Sequence, residues 1–176
     1  MISRVFFSTL VLTLFIFGAS SSEHDGPAFT YSGTTGPGQW GSLSPSYSTC
    51  SAGKRQSPVN IEKDNVVHNK KFKPLTRNYL PANSTLVNNG FNIGVHFEEN
   101  AGVLDVDGKN YTLKQMHWHT PSEHRLDGVQ FPAELHLVHK AEDDSLSVVA
   151  VLFNYSDRQD PLLSKAMRRL MSLLEP

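Results

Sequence analysis

Three histidines offer the clearest chemistry in this sequence. His117 and His119 stand two apart in Gln115-Met116-His117-Trp118-His119, and His136 follows in Ala133-Glu134-Leu135-His136-Leu137-Val138-His139. Side chains along an extended strand alternate between faces. Gln115, His117 and His119 therefore share one face, and Met116 and Trp118 take the other. Alone, a His-x-His pair is a weak signal, because such pairs are common on solvated strand faces. The second segment strengthens it: alternation groups Glu134, His136 and Val138, with Leu135, Leu137 and His139 opposite. If the two strands are neighbours, His136 completes a triad of neutral imidazoles. Three protein ligands with one open position is the pattern of catalytic zinc, whereas structural sites close with four and are rich in Cys. Only one cysteine, Cys50, is present, so no such closed site is available. A ligating His usually passes its other N–H to a carboxylate or carbonyl. Gln115 and Glu134 each lie two positions from a ligand on its own face and are placed to accept it. The competing reading is a polar strand edge with ordinary hydrogen bonds; spacing, face and supporting groups together favour zinc.

Positioning such a triad takes a sheet, and the middle of the chain reads as one. Short apolar-alternating runs occupy 85–87, 92–97, 103–106, 111–119, 133–139 and 146–153. Asn88-Asn89-Gly90 and Asp107-Gly108 are turn signals between them, and the second predicts a hairpin joining 103–106 to 109–113. The result is mainly antiparallel sheet. Residues 23–58 are rich in Gly, Pro and Ser and read as irregular, with Tyr31 and Trp40 anchoring the segment to the body. At the other end Asp160-Pro161 starts a helix, Asp as N-cap and Pro in the first turn. Leu162, Leu163, Ala166, Met167, Leu170, Leu173 and Leu174 recur at intervals of three and four, one amphipathic helix running nearly to Pro176. Arg168 and Arg169 fall in its later turns, where cations suit the helix dipole.

The chain's 176 residues suffice for one domain with a core. Formal net charge is −1 and the basic residues scatter, which argues against nucleic acid as a partner. Residues 1–22 read as a signal peptide: Arg4, an apolar run over 5–17, then small residues at Gly18-Ala19-Ser20. The run is shorter than the roughly 20 residues of a membrane span; a retained anchor is the alternative. The expected mature chain, 23–176, is soluble, with no stable membrane insertion after cleavage. Secretory entry agrees with three glycosylation sequons, at Asn83, Asn110 and Asn154. For an oxidising compartment the lone Cys50 is odd: it has a partner elsewhere, is a free thiol, or is a small buried hydrophobe.

These pieces, in this order, resemble an alpha-class carbonic anhydrase of the plant and bacterial branches. They are Gln56-Ser57-Pro58-Val59-Asn60-Ile61, Asn88-Asn89-Gly90, the His117/His119 strand, Pro121-Ser122-Glu123-His124 and the Glu134/His136 strand, within a similarity running from about Tyr31 to Leu174. The resemblance implies an α+β, mainly β fold: a central, mostly antiparallel sheet with peripheral helices and zinc in a conical cavity. It implies reversible hydration of carbon dioxide to bicarbonate and a proton, by zinc that lowers the pKa of water to about 7. By the same resemblance His117, His119 and His136 hold Zn2+ and Gln115 and Glu134 orient them. Glu123 matches a catalytic carboxylate that accepts a proton from a gate threonine, and His124 belongs to a buried network near Glu134. Val138 and Val148 match the apolar wall where carbon dioxide rests, and Asn89 a polar residue of the pocket. Tyr31 resembles the tyrosine of the family's N-terminal solvent network.

Two departures stand out. The position that commonly carries the family's proton-shuttle histidine is Phe91; His96 is near, but alternation from Phe91 puts it on the other face. The family also continues well beyond the helix that ends this chain. The expectation is therefore a C-terminally incomplete domain, with exposed strand edges, no gate partner for Glu123, and the partner of Cys50 in the missing part. Competing readings are a non-catalytic carbonic-anhydrase-like protein for storage or interaction, an inactive truncated isoform, and an esterase using the same hydroxide. Oligomeric state and final compartment, extracellular or plastid by the secretory route, are left open by the sequence.

Overall fold

Alternation and turn chemistry produce the sheet, and one long strand organises it. The computed structural model describes residues 29–171. The leader at 1–22 and the helix positions Leu173 and Leu174 lie outside them. In chain order the elements are α1 (Trp40–Leu43), α2 (Thr49–Ala52), β1 (Asn60–Ile61), β2 (Thr76–Tyr79), β3 (Ser84–Asn88), β4 (Ile93–Phe97) and β5 (Gly102–Val106). They continue with β6 (Lys109–His119), β7 (Arg125–Leu126), β8 (Val129–Gln130), β9 (Ala133–Lys140), β10 (Leu146–Phe153) and α3 (Pro161–Met171).

Seven strands form the main sheet in the order β10-β9-β6-β4-β3, with β5 pairing β6 and β2 pairing β5. Every pair in it is antiparallel. Strand β6 spans eleven residues because its two halves serve different neighbours. Its start pairs with β5, its end with β4, and its other edge with β9. The β5–β6 hairpin closes through Asp107 and Gly108, with φ of 55° and 90°. Both residues of a type I′ turn need positive φ, which Asp-Gly supplies. Gly102 answers a different demand: a Cβ there would lie 2.1 Å from the Asn78 carbonyl oxygen, at the end of the β2–β5 pairing.

Strand alternation does not run unbroken through β6. The register with β9 shifts between Leu113 and Gln115, leaving Lys114 as the extra residue of a bulge. Leu113 therefore pairs with His139 on the back of the sheet while Gln115, two residues on, pairs with Val138 on the front. The bulge lets one strand bury Leu113 behind and present Gln115, His117 and His119 in front.

Among the described residues the buried apolar ones are few: Ala101, Leu104, Leu113, Leu135 and Ala141. Among the described residues β10 pairs only with β9, and Leu146, Val148 and Val151 on it are exposed. Helix α3 starts where Asp160 Oδ1 accepts the Leu163 N–H at 2.8 Å, a side-chain N-cap. None of the helices among the described residues is long and apolar enough to cross a membrane.

Over residues 33–52 the irregular segment is built of single turns, three 3-10 pieces besides α1 and α2. Trp40 fixes it by donating its indole N–H to the carbonyls of Thr30 and Thr35. Strand β2 escaped the sequence reading because Thr-Arg-Asn-Tyr carries no apolar alternation; its partner β5 makes it a strand.

Candidate metal centre

The register of β6 against β9 decides the site. His117 pairs directly with His136, and His119 with Glu134. Directly paired side chains share a face, so three imidazoles converge, with ring centroids 4.8–5.1 Å apart. One nitrogen from each lies within 4.8 Å of the others, a cluster able to hold a metal ion.

Hydrogen bonds select which nitrogen two of the rings offer. Gln115 Oε1 accepts from His117 Nδ1 at 2.8 Å, leaving Nε2 with its lone pair. Glu134 Oε1 accepts from His136 Nε2 at 2.8 Å, leaving Nδ1. His119 Nε2 is buried and has no hydrogen-bond partner. Trp118 Nε1 is likewise buried and unpartnered, but an indole N–H only donates and cannot take a cation. An orphaned imidazole nitrogen beside two others with free lone pairs fits a cation that prefers nitrogen ligands, and zinc is such a cation.

Glu134 is the hub beneath the three imidazoles. It is completely buried and accepts four hydrogen bonds: the backbone N–H groups of Glu123 and His124, the His124 ring through Nδ1, and His136. Burial pushes its carboxyl up, but the His124 and His136 donors outweigh that and hold it below the usual carboxylate value. His124 extends the network to Ser57 Oγ through Nε2, at 3.3 Å. Ser122 braces this turn, bonding Phe131 N and the His124 carbonyl, both at 2.8 Å.

Burial, then the neighbouring imidazole charges, lowers His117 and His119 to a pKa of about 4. Both are neutral at pH 7, the state a metal requires. Burial raises Glu123, whose carboxylate faces His119 and His136. Tyr31 is pushed up to about 12 by burial and by the Glu123 carboxylate beside it.

A cavity of about 960 Å³ opens beside His119 and Glu123, bounded by Trp40, Phe91 and, from α3, Ala166 and Met167. Phe91 packs on Phe29 at 5.2 Å between centroids; Phe29 meets Trp40, Trp40 meets Tyr31, and Tyr31 reaches His119 at 6.2 Å. Val138 and Val148 face each other across β9 and β10 on the ligand side, Val148 half exposed. Asn89 spends its side chain on its own turn, accepting from the N–H groups of Phe91 and Asn92 and donating to Asn92 Oδ1. The cavity is lined by Asn88 and Asn92 instead. Cys50 is an exposed residue on the cavity wall, which removes the buried-hydrophobe alternative.

The placement of His96 is corrected. Phe91 belongs to the turn before β4, so alternation does not run from it. His96 pairs with Gln115 across β4 and β6 and shares the face of His117. A second residue carries a role that sequence pattern did not assign. His139 is completely buried behind the sheet, its Nε2 accepting from the Tyr79 hydroxyl at 2.8 Å and its Nδ1 donating to the Ser147 carbonyl at 3.2 Å. Only knowledge of the β2 position could have linked Tyr79 to it.

The family model for eukaryotic-type carbonic anhydrase matches residues 35–175. Alpha carbonic anhydrase 7 of Arabidopsis thaliana is 35% identical, over 99% of this chain and 66% of that protein. Dioscorin DB3L of Dioscorea polystachya is 37% identical, over 93% of this chain and 61% of its own length. The alpha-carbonic anhydrase of Thermovibrio ammonificans, solved with the inhibitor sulfanilamide, superposes with a TM-score of 0.74 at 38% identity, covering 81% of this chain and 62% of that one. The chain thus spans about two thirds or less of the length of these relatives.

Proposed function

The chain belongs to the eukaryotic-type carbonic anhydrase family, and from that premise we propose that it binds zinc and catalyses the reversible hydration of carbon dioxide to bicarbonate. One observation carries the reading: three imidazole nitrogens converge, two with lone pairs left free because Gln115 and Glu134 hold their other nitrogens, and the third, His119 Nε2, buried without a partner. His117 Nε2, His119 Nε2 and His136 Nδ1 would hold the ion. When bound, zinc supplies the Lewis acidity that makes water available as hydroxide near pH 7. Gln115 and Glu134 fix the tautomers of His117 and His136, so neither ring must rotate or lose a proton for the ion to enter. Val138 and Val148 offer the apolar surface for a linear, uncharged substrate on the ligand side of the sheet.

Proton export has a different carrier from the one expected at position 91. Phe91 cannot carry a proton, whereas His96 on the ligand face is an exposed imidazole able to do so. His96→Ala then makes turnover depend on added small imidazole buffers; turnover that ignores such buffers in both proteins removes His96 from the path.

The deciding experiment expresses the chain and measures zinc content and carbon dioxide hydration together. Stoichiometric zinc with hydration that vanishes in His119→Ala supports the proposal. A folded chain without zinc sinks it. A second reading, a non-catalytic relative, is favoured by the aromatic residue at position 91, tied into the Phe29 contact; stoichiometric zinc without turnover would support it. The leader pattern and sequons add a secretory destination to the proposal, and a glycosidase-sensitive mass shift of protein from secreting cells tests it.

A further inference from the structure

Behind the sheet, on the face turned away from the three imidazoles, the strand register assembles an apolar floor. Leu86 pairs with Val95 and Val95 with Met116, so one row of side chains crosses β3, β4 and β6. Directly paired residues share a face, and alternation adds Phe97 on β4 and Trp118 on β6 to that side. All five are half-buried, so part of this floor is left uncovered.

Helix α3 stands over it. The cavity between helix and floor measures about 780 Å³, within the roughly 300–1,000 Å³ of small-ligand sites. Its α3 side brings Lys165, Arg168 and Arg169. The two arginines lie three and four positions beyond Lys165, so the three cations cluster on one side of the helix. Among the described residues no Asp or Glu lines the cavity. Glu98, which follows Phe97, accepts from the Thr85 hydroxyl at 2.7 Å, and Thr85 pairs with His96 on the opposite face.

Cations beside an apolar recess select what fits there. Lys and Arg stems lie readily along apolar surface with their heads in water, which accounts for the cations but not for the recess beneath them. A neutral apolar molecule would gain the floor and not the rim; a small anion would gain the rim and not the floor. An unbranched chain ending in a carboxylate gains both. Its methylenes leave water against the floor, and its head accepts charge-assisted hydrogen bonds from ammonium and guanidinium groups. We propose that the recess under α3 is a binding site for a medium- to long-chain carboxylate, its head held by Lys165 and Arg168 and its chain laid over Leu86, Val95, Met116 and Trp118. The site lies across the sheet from the candidate metal centre and does not depend on zinc.

The test uses the full chain and dodecanoate below its micelle concentration, followed by tryptophan fluorescence, with dodecanol and acetate as controls for chain and head. Dodecanoate brominated at the end of its chain should quench Trp118 by contact; Trp118→Phe should abolish the quenching and Trp40→Phe leave it. Binding should tighten about threefold to fourfold for each methylene added from octanoate upward. Lys165→Glu combined with Arg168→Glu, both at exposed positions, should weaken dodecanoate about tenfold or more and leave dodecanol unaffected. Quenching that survives Trp118→Phe and is lost in Trp40→Phe places the acid in the cavity beside His119 and overturns the site. So does dodecanoate binding that ignores the double charge reversal, or capture by phosphatidylglycerol vesicles without affinity for the free acid. If Trp118→Phe fails to fold by circular dichroism, the charge-reversed chain decides alone.

Discussion

Strand β9 carries two buried histidines three residues apart, and they have opposite uses. His136 faces the front of the sheet with one nitrogen bound to Glu134 and the other left open towards His117 and His119. His139 faces the back with both nitrogens committed, one to Tyr79 and one to Ser147. Residue type and strand are the same, and both side chains are buried. The number of partners differs, and that number separates a candidate ligand from a brace. A histidine with both nitrogens satisfied binds strands together; one with a nitrogen left over waits for a cation.

The largest expected effect breaks the comparison on the ligand side. His136→Ala should lower zinc affinity by more than about a hundredfold, beyond losses typical of outer-shell groups, while His139→Ala at saturating zinc retains full metal content. Chelator competition checks both, and metal loss in a folded His139→Ala chain would erase the distinction. Next comes the hub: Glu134→Gln should cost about 10–100-fold in zinc affinity, because an amide cannot accept from every donor that now converges on it. On the back face the effect shifts to stability. His139→Ala should lose about 2–4 kcal/mol in urea unfolding, combining a cavity with an unpaired Tyr79 hydroxyl. Tyr79→Phe should lose about 1 kcal/mol, and a loss equal to that of His139→Ala would place the energy in the hydroxyl.

The smallest effect is in pH. Burial lowers His139 from its ordinary 6.5, so below that value the unfolded chain binds a proton that the folded chain refuses. Stability from His139 is thus full above pH 6.5 and declines as pH falls towards its folded pKa. His117 and His119, lowered to about 4, act in the same sense in the metal-free chain. Urea melts of chelator-treated protein between pH 7 and 5 should show this acid decline, and His139→Gln should make it shallower. An unchanged slope would mean that His139 is charged in the fold.

Much of the ligand side was legible because period-two alternation is a local rule. It groups His117 with His119 and Gln115, and His136 with Glu134, without knowledge of the sheet. The same rule failed at His96, where the count began from Phe91, a turn residue, and it could not see the bulge at Lys114. Nothing local links Tyr79 to His139, sixty residues apart in sequence.

The sequence by itself determined the inventory and its local order: which side chains can ligate, which strand face each occupies, where Asp107-Gly108 turns the chain and where Asp160 caps a helix. These follow from dihedral preferences and spacing. Tertiary structure alone decided the register that sets His117 against His136, the burial that keeps the imidazoles neutral, and the anchoring of Glu123 against two of those imidazoles. Those depend on which strands meet, and only the assembled sheet brings them together.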